Sequence, residues 1–134
     1  MKKISSITAS IFIWLILSSS AIAETISNPV AAFAGLDKIT GRLTSFDVYI
    51  GETIQFGALQ LTLRACHSRS AAQEQQTTAF IEVDQVDLRG DITRIFTGWM
   101  FADSPALNAI DHAVYDIWLE KCKISSDVPP PTNR

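Results

Sequence analysis

The chain of 134 residues has little of several residue types on which common functions depend. Its two cysteines and two histidines form neither the Cys-x-x-Cys nor the His-x-x-x-His spacing used in dithiol redox centres and zinc sites. Its 11 basic side chains are outnumbered by 14 acidic ones, which excludes the basic surface that nucleic acids and anionic membranes attract. The composition, with 47% apolar and 19% charged residues, indicates one small folded domain.

One long apolar run is present, and it predicts an N-terminal export signal. Two lysines precede the run Ile11–Leu17, and an Ala-x-Ala pattern ends at Ala23, so Glu24 is the predicted first mature residue. A retained membrane anchor is the alternative, but it needs roughly 20 apolar residues, and serines on both sides cut this run short. We therefore expect export with removal of residues 1–23 and no membrane insertion afterwards.

The predicted export determines how the two cysteines of the remaining chain are interpreted. The remaining 111 residues carry nine basic and 14 acidic side chains, a formal charge of −5. Because an exported chain meets an oxidising compartment, Cys66 and Cys122 are predicted to form a structural disulfide. Two separate buried thiols are the alternative. Titration of thiols in the denatured, unreduced protein distinguishes the two.

Residues 42–66 alternate between apolar and polar side chains, which is typical of β-strands. Residues 59–65 predict a half-buried strand, and glycine turns at Gly51 and Gly57 predict a meander over residues 42–66. The apolar face of the first strand consists of alternate residues: Leu59, Leu61, Leu63 and Ala65.

Two later segments depart from simple alternation. The apolar positions change phase between Val83 and Val86, which predicts a β-bulge near Asp84 and Gln85. Residues 92–101 are apolar on both faces, as expected of a central strand.

Together these patterns predict a single all-β domain, a sandwich or barrel of about seven mainly antiparallel strands. The pair Ser104-Pro105 is a helix-start signal, so one short helical turn is predicted at residues 104–112. The predicted organisation is a signal peptide at 1–23, a lead-in at 24–34, the all-β domain at 35–123 and a disordered proline-rich tail at 124–134.

A search for catalytic and metal-binding patterns gives one weak combination. Asp103, His112 and Asp116 offer an imidazole and two carboxylates, which suit a metal-dependent enzyme or a hydrolase. Their spacing matches no ligand pattern such as His-x-x-x-His, and His112 is better explained as a helix C-terminal residue that interacts favourably with the helix dipole. Ser104 lacks the Gly-x-Ser-x-Gly environment of a nucleophile, and Arg89-Gly90-Asp91 reads as a hairpin turn. We therefore predict no catalytic residues, no metal and no cofactor.

The densest aromatic patch is the second candidate site. Aromatic residues at alternate strand positions usually belong to the core, but Trp118 shares its face with polar neighbours. It is either a local packing contact or an exposed ring that binds a protein partner or an envelope polymer. The hypothetical binding surface consists of six residues: Trp99, Asp103, His112, Tyr115, Asp116 and Trp118.

Several strings in this chain resemble a bacterial family. They are Leu36-Asp37-Lys38-Ile39-Thr40-Gly41, Gly51-Glu52, Phe56-Gly57-Ala58-Leu59, Thr78-Ala79-Phe80, Gly98-Trp99-Met100-Phe101-Ala102, Ser104-Pro105-Ala106-Leu107 and Val114-Tyr115-Asp116-Ile117-Trp118. Over Asn28 to Lys123 the chain is similar to the exported alphaproteobacterial family called domain of unknown function 2155. Both cysteines match that family's pair, which supports the disulfide. The resemblance implies a Gram-negative periplasmic location and no particular activity.

Two classes of function follow from the sequence. The first is a non-enzymatic periplasmic module that binds a protein or an envelope polymer near Trp118. The second is a hydrolase or metal-dependent enzyme built on Asp103, His112 and Asp116. If these three residues share one concave pocket, the enzyme is favoured, whereas an accessible Trp118 beside a groove favours the binding module.

Overall fold

A computed structural model describes residues 24–69 and 76–131, which form two facing antiparallel sheets. The predicted signal peptide lies outside the described residues, and among those described no helix is long and apolar enough to cross a membrane. The strands are β1 (Thr25–Ser27), β2 (Val30–Asp37), β3 (Arg42–Tyr49), β4 (Thr53–Phe56), β5 (Leu59–Arg69), β6 (Thr77–Val86), β7 (Ile92–Phe101), β8 (Ile110–Asp111) and β9 (Tyr115–Lys123). The prediction of an all-β sandwich is confirmed.

The two sheets divide the strands unequally. In the first sheet β5 pairs with β6 and β6 with β7, while β1 and β4 share the other edge of β5. In the second sheet the order is β3-β2-β9-β8. The chain therefore changes sheets between β3 and β4. The predicted meander over residues 42–66 is right for the β4–β5 hairpin and wrong for β3 and β4, which never pair.

Strand β5 supplies the centre of the core, as its alternation predicts. Leu59, Leu61 and Leu63 are fully buried against residues of the second sheet such as Phe33. The register with β6 then shifts by one residue after Leu63, so the buried position that strict alternation assigns to Ala65 is taken by Cys66.

The predicted phase change is also a bulge, but the extra residue lies on the neighbouring strand. The β6–β7 register shifts between Val83 and Asp84, and Ile95 of β7 is the unpaired residue. The prediction that residues 92–101 form a central strand is wrong, because β7 is an edge strand of the first sheet. Its apolar residues are partly exposed, with 62% of Ile92 accessible. Only one of its faces contacts the core.

The helical turn predicted at residues 104–112 is replaced by a β-turn and a short strand. The amide of Leu107 donates to the Ser104 carbonyl at 2.9 Å, and Asn108 then adopts a φ of +58°. The chain continues as β8 rather than as a helix. A serine followed by proline also favours the first two positions of a type I turn, so the same local signal serves both structures.

The predicted disulfide is present in the structure. Cys66 of β5 is bonded to Cys122 of β9, and their Cα atoms lie 5.8 Å apart. Because β5 belongs to the first sheet and β9 to the second, the bond joins the two layers of the sandwich across the core.

The segment after β9, predicted as part of a tail, contacts the end of β3. The Ser126 hydroxyl donates to the Asp47 carboxylate at 2.5 Å, and Lys123 lies 2.7 Å from the same carboxylate. The hydroxyl of Tyr49 donates to the carbonyl of Val128. Burial alone disfavours the charged form of Asp47 and raises its pKa. Hydrogen bonds from Lys123 and Ser126, together with the charges of Lys123 and Lys121, outweigh burial and lower the pKa of Asp47 below its ordinary value of 3.8.

This arrangement predicts a pH-dependent part of the stability. A lowered carboxyl pKa stabilises the fold above the unfolded value of about 3.8, and that contribution is lost as the pH falls through the folded pKa. We expect Asp47→Asn to destabilise the protein at neutral pH and to differ less from the wild type at pH 2. Denaturant unfolding at both pH values tests this. A difference between the two proteins that is the same at both pH values would contradict it.

Candidate functional site

The two tryptophans of the predicted binding surface lie on opposite outer faces of the sandwich. Trp99 in β7 precedes the buried Met100 and pairs with Phe80, so it faces outward from the first sheet. Trp118 in β9 lies between the buried Ile117 and Leu119, so it faces outward from the second sheet. The six-residue surface predicted from the sequence is therefore not one site.

A groove of about 360 Å³ runs beside Trp118, between β9 and the β7–β8 connection. Trp118 is half-buried, and its backbone lies opposite Ala34 of β2 in the strand ladder. We call this feature the Trp118 groove, and its lining residues are Pro105, Ala106, Ala109, Ile110, Asp111, Asp116 and Trp118.

Two carboxylates of the Trp118 groove share one lysine. The Nζ atom of Lys38 lies 2.9 Å from Oδ1 of Asp116 and 3.1 Å from Oδ1 of Asp111. Hydrogen bonds to Asp116 and then Asp111 raise the pKa of Lys38, and the hydrogen bond from Lys38 lowers the pKa of Asp111. With two negative groups and one positive group, the groove has a net negative charge.

His112 and Tyr115 take part in packing rather than in this groove. Their rings stack with centroids 5.6 Å apart, and Nδ1 of His112 accepts a hydrogen bond from the Val114 amide at 3.1 Å. Tyr115 in turn meets the edge of Phe56 at 5.5 Å and packs against the core. The series continues inward, and its members are His112, Tyr115, Phe56, Phe46 and Phe33.

The two carboxylates and the histidine of the alternative enzyme hypothesis have separate contacts. Asp103 accepts a hydrogen bond from the Thr77 amide at 2.9 Å, Asp116 pairs with Lys38, and His112 stacks on Tyr115. Within residues 24–69 and 76–131, no group of three or more histidine, cysteine, aspartate or glutamate residues is arranged to hold a metal ion. The structure does not bring this triad together.

A second depression of about 340 Å³ lies on the outer face of the first sheet. Trp99 is its largest ring, with His67 at 5.5 Å and Phe80 edge-on at 5.2 Å between centroids. Local periodicity does not reveal His67 as its neighbour, because the two residues lie on strands separated by β6. We call this feature the Trp99 cleft, and its lining residues are Thr25, His67, Ser68, Arg69, Gln76, Thr78, Trp99 and Phe101.

These features define a small all-β sandwich with one disulfide between its sheets and a ring-lined depression on each outer face. The chain belongs to the family described as "Uncharacterized protein conserved in bacteria (DUF2155)", whose family model matches residues 31–122. That range begins in β2 and ends at the second cysteine, so it includes the disulfide and both Trp99 and Trp118.

The chain is also similar to an individual bacterial protein over part of its length. The chain is 26% identical over 87 residues to "Uncharacterized protein RP359" of Rickettsia prowazekii (strain Madrid E). The match covers 65% of this chain and 56% of the relative, so this chain corresponds to little more than half of that protein. No solved structure matches the chain.

Proposed function

We propose that this protein is an exported, non-enzymatic module of the bacterial periplasm that binds a protein partner through the Trp118 groove. Its N-terminal residues have the charge, apolar run and small-residue pattern of a cleaved signal. The Cys66–Cys122 disulfide supports the same location, because such bonds persist in oxidising compartments.

The observation that carries the proposal is the position of Trp118 beside a concave surface. A tryptophan on the outer face of a sheet offers a large, rigid contact area, and such residues often dominate the energy of protein interfaces. The groove next to it has the size of small binding clefts and is formed by fixed strands and a tight turn.

The chemistry of the lining favours a protein segment with an apolar and a basic side chain. Most of the wall is aliphatic, because Pro105, Ala106, Ala109 and Ile110 are among its lining residues. Asp111 and Asp116 add two carboxylates that Lys38 only partly neutralises. A basic side chain of the partner is therefore attracted to the groove while its apolar neighbour packs against Trp118.

We expect Trp118→Ala to abolish partner binding while it lowers the free energy of unfolding by only about 1 kcal/mol, the typical cost of a single substitution. A photo-crosslinking amino acid at Ala106 tests this, because it captures only molecules that enter the groove. Crosslinking is done in intact cells, and unfolding is measured on the purified protein.

The same crosslinker at Thr97, on the outer face of the first sheet, is the matched control. The proposal requires a product that forms from position 106, is absent from position 97 and disappears with Trp118→Ala. Equal crosslinking from both positions, or capture of glycan instead of protein, contradicts it. A loss of several kcal/mol in Trp118→Ala assigns the ring to the core.

A further inference from the structure

The Trp99 cleft has a rigid aromatic wall that remains open to solvent. Trp99 retains 37% exposure although Phe80 meets it edge-on and the centroid of His67 lies 5.5 Å away. The amide of the Asn108 side chain donates to the Trp99 carbonyl at 3.1 Å and holds this end of β7 in place. An aromatic ring fixed in this way offers a flat apolar surface without a large loss of conformational entropy on binding.

One cation at this cleft has no ion-pair partner among the residues that the structure describes. On the same face of the first sheet, Arg64 pairs with Glu82, and Arg94 pairs with Asp84. Arg69, which lines the cleft, forms no ion pair within the part of the chain that the structure describes, and none of the other lining residues is acidic. A guanidinium group in this position is available to a carboxylate, which it binds with two parallel hydrogen bonds.

The rest of the lining offers neutral hydrogen-bonding groups. The side chains of Thr25, Gln76 and Thr78 contribute hydroxyl and amide groups around the aromatic wall. A volume of about 340 Å³ is near the lower end for ligand clefts, which suits a single ring rather than a large ligand.

We propose that the Trp99 cleft binds an acidic sugar, a pyranose ring that carries a carboxylate. The apolar C–H face of the ring stacks on Trp99, the carboxylate binds Arg69, and the hydroxyl groups meet the neutral side chains. This site is independent of the Trp118 groove, because the two depressions lie on opposite sheets. With both sites in use, one molecule links an acidic glycan on one face to a protein on the other.

Binding of trigalacturonic acid to the purified, disulfide-bonded protein tests the proposal. Titration calorimetry and the indole N–H signals in NMR spectra report affinity and location. We expect Arg69→Gln to weaken binding about tenfold or more, the range for loss of a charged hydrogen bond. Trp99→Ala removes the stacking surface and is expected to weaken binding to a similar extent. Arg64→Gln, which removes an arginine on the same face, and Trp118→Ala are the matched controls and leave the affinity unchanged.

Further probes separate the possible ligands. A neutral galactose trisaccharide is expected to bind at least tenfold more weakly than the acidic one. Equal binding of both sugars overturns the role of Arg69, and preferential binding of an acidic peptide overturns the assignment to a sugar. Absence of binding by trigalacturonic acid also overturns the proposal. This outcome is independent of the Trp118 groove, whose protein partner is tested by crosslinking. If Trp99→Ala is unstable, Trp99→Leu provides the same test with a larger side chain.

Discussion

Replacement of both cysteines by alanine is expected to lower the free energy of unfolding by about 4 kcal/mol, according to the chain-entropy model for a loop of this length. The bond joins residues 56 positions apart, so the intact disulfide removes many conformations from the unfolded chain. Domains of this size are stabilised by only about 5–15 kcal/mol in total. The change therefore corresponds to a fall of roughly 15–30 °C in melting temperature.

Equilibrium unfolding in urea measures this effect, and reduction of the wild type provides an independent control. The reduced wild type and the Cys66→Ala/Cys122→Ala variant are expected to unfold at similar, lower urea concentrations. A variant as stable as the oxidised protein would show that the unfolded chain is already compact around this loop. The disulfide would then have little influence on the stability.

Gly57→Ala is expected to lower the free energy of unfolding by about 2–5 kcal/mol, because two costs act at one position. Gly57 forms the β4–β5 turn with a φ of +58°, a conformation that L-residues with a side chain rarely adopt. A Cβ atom there also lies 2.6 Å from Cε1 of Tyr115 and closer still to the phenol oxygen. Movement of the ring is limited, because Phe56 meets it at 5.5 Å and His112 stacks on it at 5.6 Å between centroids.

Gly90→Ala is the matched control for this prediction. Gly90 also has a positive φ, +85°, but an added Cβ meets no atom within 4 Å. It therefore carries the backbone cost alone, about 1–2 kcal/mol. Urea unfolding of both variants separates the backbone cost from the contact with Tyr115. Equal losses of stability would show that Tyr115 moves aside without cost.

Local periodicity predicts the strands of this protein better than it predicts their partners. Leu59, Leu61 and Leu63 alternate because one face of β5 is buried, and this is a property of the strand itself. The position of β7 depends instead on which strands lie beside it. Its two apolar faces suggest a central strand, although Trp99 is apolar because it packs on the outer face of the sheet against Phe80.

The candidate sites were also hard to predict, because local sequence patterns do not show which distant residues come together. Trp99 and Trp118 lie only 19 positions apart in the chain and look like parts of one aromatic patch. The segment between them crosses from the first sheet to the second, so the residues end on opposite faces. The cysteine pair was predictable because the sequence holds only two cysteines and its N-terminal pattern predicts export to an oxidising compartment. The link between Lys38 and the two aspartates depends on a long-range contact that no local pattern contains.

The pairing of β2 with β9 determines when this protein can fold. The ladder joins Val30 to Lys123, near the two ends of the domain, and lies in the middle of the second sheet. Contacts between such distant segments form slowly, because a long loop must close before they contribute free energy. The second sheet therefore stays incomplete until the last strand has been synthesised. Until β9 is available, β2 has only β3 as a neighbour and keeps one edge of unpaired amide and carbonyl groups.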